Sequence, residues 1–341
     1  MMKSSEQISA PTATDVERSA LISKFARRHR LNWYEALPWL AIVGVFFIFP
    51  DYLALGAQVL ITIIFALSVD LVLGYAGIVT LGQAAFFGTG AYTAGVLAAN
   101  GWGEPISGLI AGGVMAGLIG VVSGMLILRT HGLTQLMQTL VVAALLYEFA
   151  NKAHHITGGA DGLQGMAVWK VLGLFKFDLF GRVAYIYAAV VLFVCWLAVR
   201  TMVHSAFGRS LTGIRENVTR MQAVGAPVAR RKLIVYTISA VLAGVAGAAL
   251  AQTTQFVGLN TLGLERSGAI LVMLIIGGVG RLYGAFIGVP LYMVAQDRFA
   301  TIDPVYWYFW IGLSMVLLVL FARGGVLALM ERIGERMGRT P

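Results

Sequence analysis

Cysteine occurs once in the 341 residues, as Cys195 within the apolar run 183–199. One thiol makes no internal disulfide, and no metal-type Cys/His spacing accompanies it, so Cys195 reads as a small apolar packing residue. Charge is scarce too: 12% of the residues are Asp, Glu, Lys or Arg, while 58% are hydrophobic and the mean hydropathy is +0.81. A soluble domain cannot bury that much apolar surface, so lipid is the solvent for most of this chain. Catalytic constellations are missing. The five histidines (His29, His131, His154, His155 and His204) form no HExxH, and no GxSxG is present. Without a GxxxxGKS/T loop the chain cannot itself cradle ATP, so ATP-driven work would need a nucleotide site on another subunit. No cofactor or metal site is expected. Nor is a cleavable signal peptide, because the first apolar run begins only near Ala36.

What is present is a series of ten apolar segments: 36–49, 53–73, 77–99, 105–128, 133–150, 183–199, 233–252, 267–280, 283–296 and 305–322. About 20 residues cross the hydrocarbon core. Three segments are short, and 267–280 with 283–296 reads either as two tilted helices or as one re-entrant hairpin. The expected fold is therefore an all-α polytopic membrane protein of about ten transmembrane helices, or eight plus a hairpin. With an inside N-terminus, 19 of the 25 Lys and Arg fall on the inner side. The outer six are Lys152, Lys170, Lys176, Arg182, Arg266 and Arg298. This positive-inside pattern puts both termini in the cytoplasm, and it explains the +9 balance with no nucleic-acid partner. The expected organisation is a cytoplasmic tail 1–35, a transmembrane domain 36–322 and a cytoplasmic tail 323–341. In the first tail, Val16–Arg30 fits an amphipathic helix on membrane lipid and fits a frayed tail equally well.

Four features exceed what topology needs. The inner loop 200–232 carries seven basic residues against one acid, Glu216, and reads as a short helical pair, GRSLTGIREN then VTRMQAVGAP. The outer loop 151–182 is long and glycine-rich, with Gly158, Gly159, Gly162 and Gly165, which suits a docking or substrate-entry element more than a plain connector. Gly74–Gly95 mixes six glycines with Thr80, Gln83, Thr89, Tyr92 and Thr93. It reads equally as a broken, pathway-lining helix or as tight packing through small residues. Ile275–Pro290 crowds five glycines around Arg281, with close packing or a re-entrant turn as the better reading than a dinucleotide loop. Two charges fall inside spans. Asp70 is expected to take a backbone amide or a polar neighbour, and Glu148 to pair with Lys152 at i+4. Neither is central, so the coupling-ion ligands that a secondary transporter needs are missing.

Together these segments resemble the larger permease subunit of branched-chain amino acid ABC importers, over roughly residues 50–325. The resemblance rests on GYAG–LGQAAFFGTGAY at 74–92, TGGADGL at 157–163, GRSLTGIREN at 208–217 with Gly225 and Lys232, and IGGVGRLYGAFIG at 276–288. The sequence departs from the family at Arg220 and Met221, at Asp70 and along Gln135–Tyr147. The resemblance implies a permease in a bacterial inner membrane, paired with a paralogous second permease. It also implies two separate ATPases gripping the 208–226 region, and a periplasmic or lipid-anchored substrate-binding protein. On that basis Arg215, Glu216, Asn217 and Gly225 are expected at the ATPase. Gln83, Tyr92 and Thr93 are expected along the substrate path, and Gly158, Gly159, Asp161 and Gly162 at the binding protein. Branched-chain amino acids lead as cargo, with amides, urea and small aromatic acids behind.

Overall fold

The computed structural model describes residues 37–170, 175, 181–321 and 325. The expectations for Val16–Arg30 and for most of the C-terminal tail lie outside these residues. The chain divides into two units, Met1–Gly44 and Val45–Pro341. The first contributes only the start of helix α1 (Leu37–Ile48) to the described residues; the remaining helices belong to the second.

Every apolar segment contains a helix. After α1 come α2 (Leu53–Asp70), extended by a π turn over Leu71–Tyr75, and α3 (Gln83–Ala99). Next are α4 (Pro105–Ile127), α5 (Leu133–Lys152) and the single turn α6 (His154–Thr157). Then come α7 (Arg182–His204), the short pair α8 (Ala206–Glu216) and α9 (Val218–Ala223), and α10 (Val228–Thr254). The series ends with α11 (Leu264–Gly277), α12 (Gly284–Ile302) and α13 (Trp307–Phe321). Among the described residues, five helices are long and apolar enough to cross a membrane: Pro50–Tyr75, Pro105–Ile127, Leu133–Lys152, Arg182–His204 and Val228–Thr254. Leu163 and Val257 pair in an isolated antiparallel bridge.

The centre is built from α2, α3, α4 and α10. In lipid, apolar side chains gain little by leaving one another's company for the bilayer, so helices associate where small residues let backbones close up. Here α4 supplies Gly112, Gly120 and Gly124, and α10 answers with Ala248, Ala240 and Tyr236. A Cβ on Gly112 would stand 2.8 Å from that of Ala248, and one on Gly120 2.6 Å from that of Ala240. Those separations are too short for real Cβ atoms, so glycine is what sets the approach. One polar bond system joins three helices near the ends of this seam: Tyr187 OH donates to Gln252 Oε1 at 2.5 Å, and Gln252 Nε2 donates to the Pro105 carbonyl at 2.8 Å.

Between α2 and α3 the helix stops for residues 76–82. Gly77, at φ +69°, takes a left-handed conformation that L side chains rarely adopt. Backbone groups freed at this depth need partners. Ile78 N–H donates to Val72 O at 3.0 Å, Leu81 N–H to Thr139 Oγ1 at 3.3 Å, and Gly82 N–H to Thr80 Oγ1 at 3.2 Å. The segment is thus a built interruption. Within Gly74–Gly95, Gly77 marks the break, whereas Gly88 and Gly90 pack closely against Leu262 and Gly244.

Candidate functional site

The basic loop 200–232 folds as two helices with orthodox ends. Ser205 accepts the Gly208 N–H at 3.4 Å to begin α8, and Asn217 Oδ1 accepts the Arg220 N–H at 2.9 Å to begin α9. At the far end Ala226 N–H bonds to Met221 O at 3.0 Å and Gly225 N–H to Gln222 O at 2.9 Å. That is a Schellman stop with Gly225 at φ +83°. Glu216 and Asn217 are exposed. Arg215 differs: much of it is exposed, yet its guanidinium donates to the Gly74 carbonyl at the end of the π turn. Its stem lies 3.0 Å from where a Cβ on Gly77 would sit, and its Nη1 lies 2.9 Å from where one on Gly280 would. Gly280 N–H in turn donates to Asp70 Oδ1 at 2.7 Å, the backbone partner expected for that buried carboxyl. The end of the π turn, loop 200–232 and the turn beside Arg281 therefore meet. Gly325 packs there as well, against Gly277 and Gly278.

The interior side of the break is polar. Gln83 is 1% exposed, and Ser239 Oγ lies 3.4 Å from its Oε1 while donating to Ser68 O at 2.6 Å. The Gln83 Nε2 has no hydrogen-bond partner. Ala84 N–H donates to Ser267 Oγ at 3.0 Å, which joins the starts of α3 and α11. Tyr92 and Thr93 stand further along α3 and line a largely apolar cavity of about 530 Å³ with Thr89, Leu118, Phe149 and Leu262. The Tyr92 hydroxyl is buried and unpaired, whereas Thr93 Oγ1 donates to the Thr89 carbonyl at 2.7 Å. Gln83 does not line this cavity, so the three expected path residues divide between two environments.

At the opposite end the loop after α5 is pinned down. Leu163 and Val257 exchange backbone bonds of 2.8 and 3.2 Å, and Trp169 N–H donates to Gly103 O at 2.8 Å. Gly158, at φ +75°, caps α6; Gly159 and Gly162 are buried, the latter beneath the Phe256 ring and Val257 O. Asp161 is the one of the four expected docking residues with an exposed side chain.

The family model described as branched-chain amino acid transport system / permease component matches residues 52–320. The chain belongs to this permease family. It is similar to the high-affinity branched-chain amino acid transport system permease protein LivM of Escherichia coli (strain K12). The two are 26% identical over 318 residues, covering 86% of this chain and 73% of that one. LivM of Salmonella typhimurium is 24% identical over the same shares. The autoinducer 2 import system permease protein LsrC of Enterobacter sp. (strain 638) is 28% identical, over 73% of this chain and 70% of that one. No solved structure gives a significant match.

Within this permease one charge has surroundings that its loop position does not suggest. Arg266 counts as an outer-loop residue by sequence. Instead, the chain after α10 doubles back along α3, with Val257 against Gly95 and Leu262 against Gly88, and only then begins α11. Arg266 consequently lies with its guanidinium 4.5 Å from the centroid of the Phe87 ring. Sequence reasoning also passed over Ser239, Ser267 and Gln252, polar residues within or at the ends of apolar runs. Such residues are a signal in lipid, where every polar side chain needs a partner; their partners lie 65 to 183 positions away.

Proposed function

We propose that this chain is the membrane-spanning permease subunit of an ATP-binding-cassette importer that carries branched-chain or related amino acids across a bacterial cytoplasmic membrane. It crosses about ten times, with both termini and loop 200–232 in the cytoplasm. ATP is hydrolysed by separate ATPase subunits that grip α8 and α9. A paralogous permease completes the path, and a periplasmic or lipid-anchored binding protein delivers cargo to the 151–170 surface, where Asp161 is exposed. No cofactor is needed in this chain. Beyond family membership, the observation that supports the reading most is the bond from Arg215 to the Gly74 carbonyl. It ties the helical pair to the helix break, so a partner that shifts α8 acts directly on the interrupted span. Glu216 and Asn217 face outward, open to such a partner.

The test replaces Glu216 by Ala and, separately, Gly225 by Val, and follows ATPase co-purification and labelled leucine uptake together. Gly225→Val strains the Schellman stop that orients α9. Uptake falls in both variants, with weaker ATPase recovery. Normal uptake with normal association would refute the coupling role.

A further inference from the structure

An arginine at the middle of a helix bundle in lipid is a functional signal by default. Arg266, in the first turn of α11, is only partly exposed. Its guanidinium lies over Phe87, and Phe87 packs on Phe65 with ring centroids 4.7 Å apart. Phe65 stands near the midpoint of the continuous helical stretch Leu53–Tyr75. At the ordinary helical rise it is about 18 Å from one end and about 15 Å from the other. A stack of three side chains therefore sets the charge near the centre of the hydrocarbon layer. Among the described residues the ion pair found is Lys152 with Glu148 at 3.4 Å, and no carboxylate lies within that range of Arg266. Contact with one aromatic face offsets only part of the loss of water around a guanidinium.

Two helix starts meet at this level, α3 at Gln83 and α11 at Leu264, joined through Ala84 and Ser267. Helix starts present positive dipole ends, which in interrupted membrane helices face anionic groups. Gln83 lies one turn before Phe87 and so on the same face of α3 as the stacked guanidinium. It is 1% exposed, and its Nε2 donor is unmatched. The buried donor left over here is Gln83 Nε2, beside the Arg266 cation, while the one acid of the α11 start, Glu265, is exposed. We infer that Arg266, with Gln83 and the starts of α3 and α11, forms a mid-membrane waypoint that holds the carboxylate of the transported amino acid. This rests on the amino-acid reading of the cargo, and it names the half of the zwitterion that the permease recognises. Arg266 neutralises the carboxylate where water does not, and Gln83 Nε2 donates to it.

The experiment uses the complete transporter, purified with its partner subunits and reconstituted in liposomes, with labelled leucine as probe. Arg266→Gln lowers the maximal import rate about tenfold or more, the scale of a lost charge-assisted hydrogen bond. The half-saturating concentration and the yield of assembled complex stay unchanged. Arg266→Lys retains more of the rate than Arg266→Gln. Gln83→Glu supplies a resident carboxylate beside Arg266 and also lowers the rate at full assembly. Wild-type import by Arg266→Gln overturns the inference and leaves the cargo reading intact. So does a rate loss that only follows a loss of partner subunits, because Arg266 then answers a carboxylate of the neighbouring chain. A wild-type complex that imports only cargo without a carboxylate overturns both.

Discussion

Helices α10 and α7 have the same mean hydropathy over their most apolar stretches, 2.1, yet 67% of that stretch is buried within the chain in α10 and 39% in α7. In water, equal hydropathy would argue for equal burial. In lipid it does not, because a leucine is as well solvated by acyl chains as by other leucines. What separates the two is side-chain size. α10 runs through AVLAGVAGAALA, and its small residues admit α3 and α4 to backbone contact. α7 presents Ile186, Val190, Phe193, Val194 and Leu197 as an exposed stripe at helical spacing. The helix with the smaller side chains becomes the hub, and the bulkier one forms the rim.

The strongest way to break this comparison is to place a leucine at one position on each helix. A Cβ on Gly244 already stands 2.6 Å from the Gly112 carbonyl oxygen. Gly244→Leu should cost about 3 kcal/mol or more by overpacking, read as lost folded yield and a lower melting point in detergent. Val190→Leu, at a 57% exposed position, should stay within about 0.5 kcal/mol. Equal losses would mean that size does not decide burial here. The bond between the two helices sharpens the contrast. Gln252→Leu removes the acceptor of Tyr187 and the donor to Pro105, and should cost about 2 kcal/mol. Tyr187→Phe removes one bond and should cost about 1 kcal/mol. Thermal unfolding of both variants checks the order. The smallest effect is expected where neither helix is involved. Lys152→Ala breaks an ion pair whose side chains are 77% and 50% exposed, and should change stability by about 0.3 kcal/mol, vanishing in high salt.

Helix positions were legible because length and apolarity announce them. The ten runs all contain helices, and the caps of α8 and α9 use Ser205, Asn217 and Gly225 in the roles their chemistry favours. The Glu148–Lys152 pair followed from i+4 spacing. The break before α3 was only half legible: glycines flagged it, but the same glycines serve packing elsewhere, and composition does not tell φ. Depth was not legible at all. Nothing local to Arg266 says that the preceding loop folds back along α3, because that path is set by Val257 and Leu262 finding Gly95 and Gly88 more than 160 positions earlier. Gln83, Tyr92 and Thr93 are close in sequence, yet they fall into a polar junction and an apolar cavity because α3 changes neighbours along its length.

The clasp of Arg215 on the Gly74 carbonyl leaves no slack at that end of the molecule. Asp70 holds the Gly280 turn by accepting from its amide, and Arg215 fills the space that Gly77 and Gly280 leave open. A tug on the short surface helix α8 must therefore either snap the clasp or carry the foot of α2 and the hairpin between α11 and α12 along with it, so that one local pull is delivered to three rods at once.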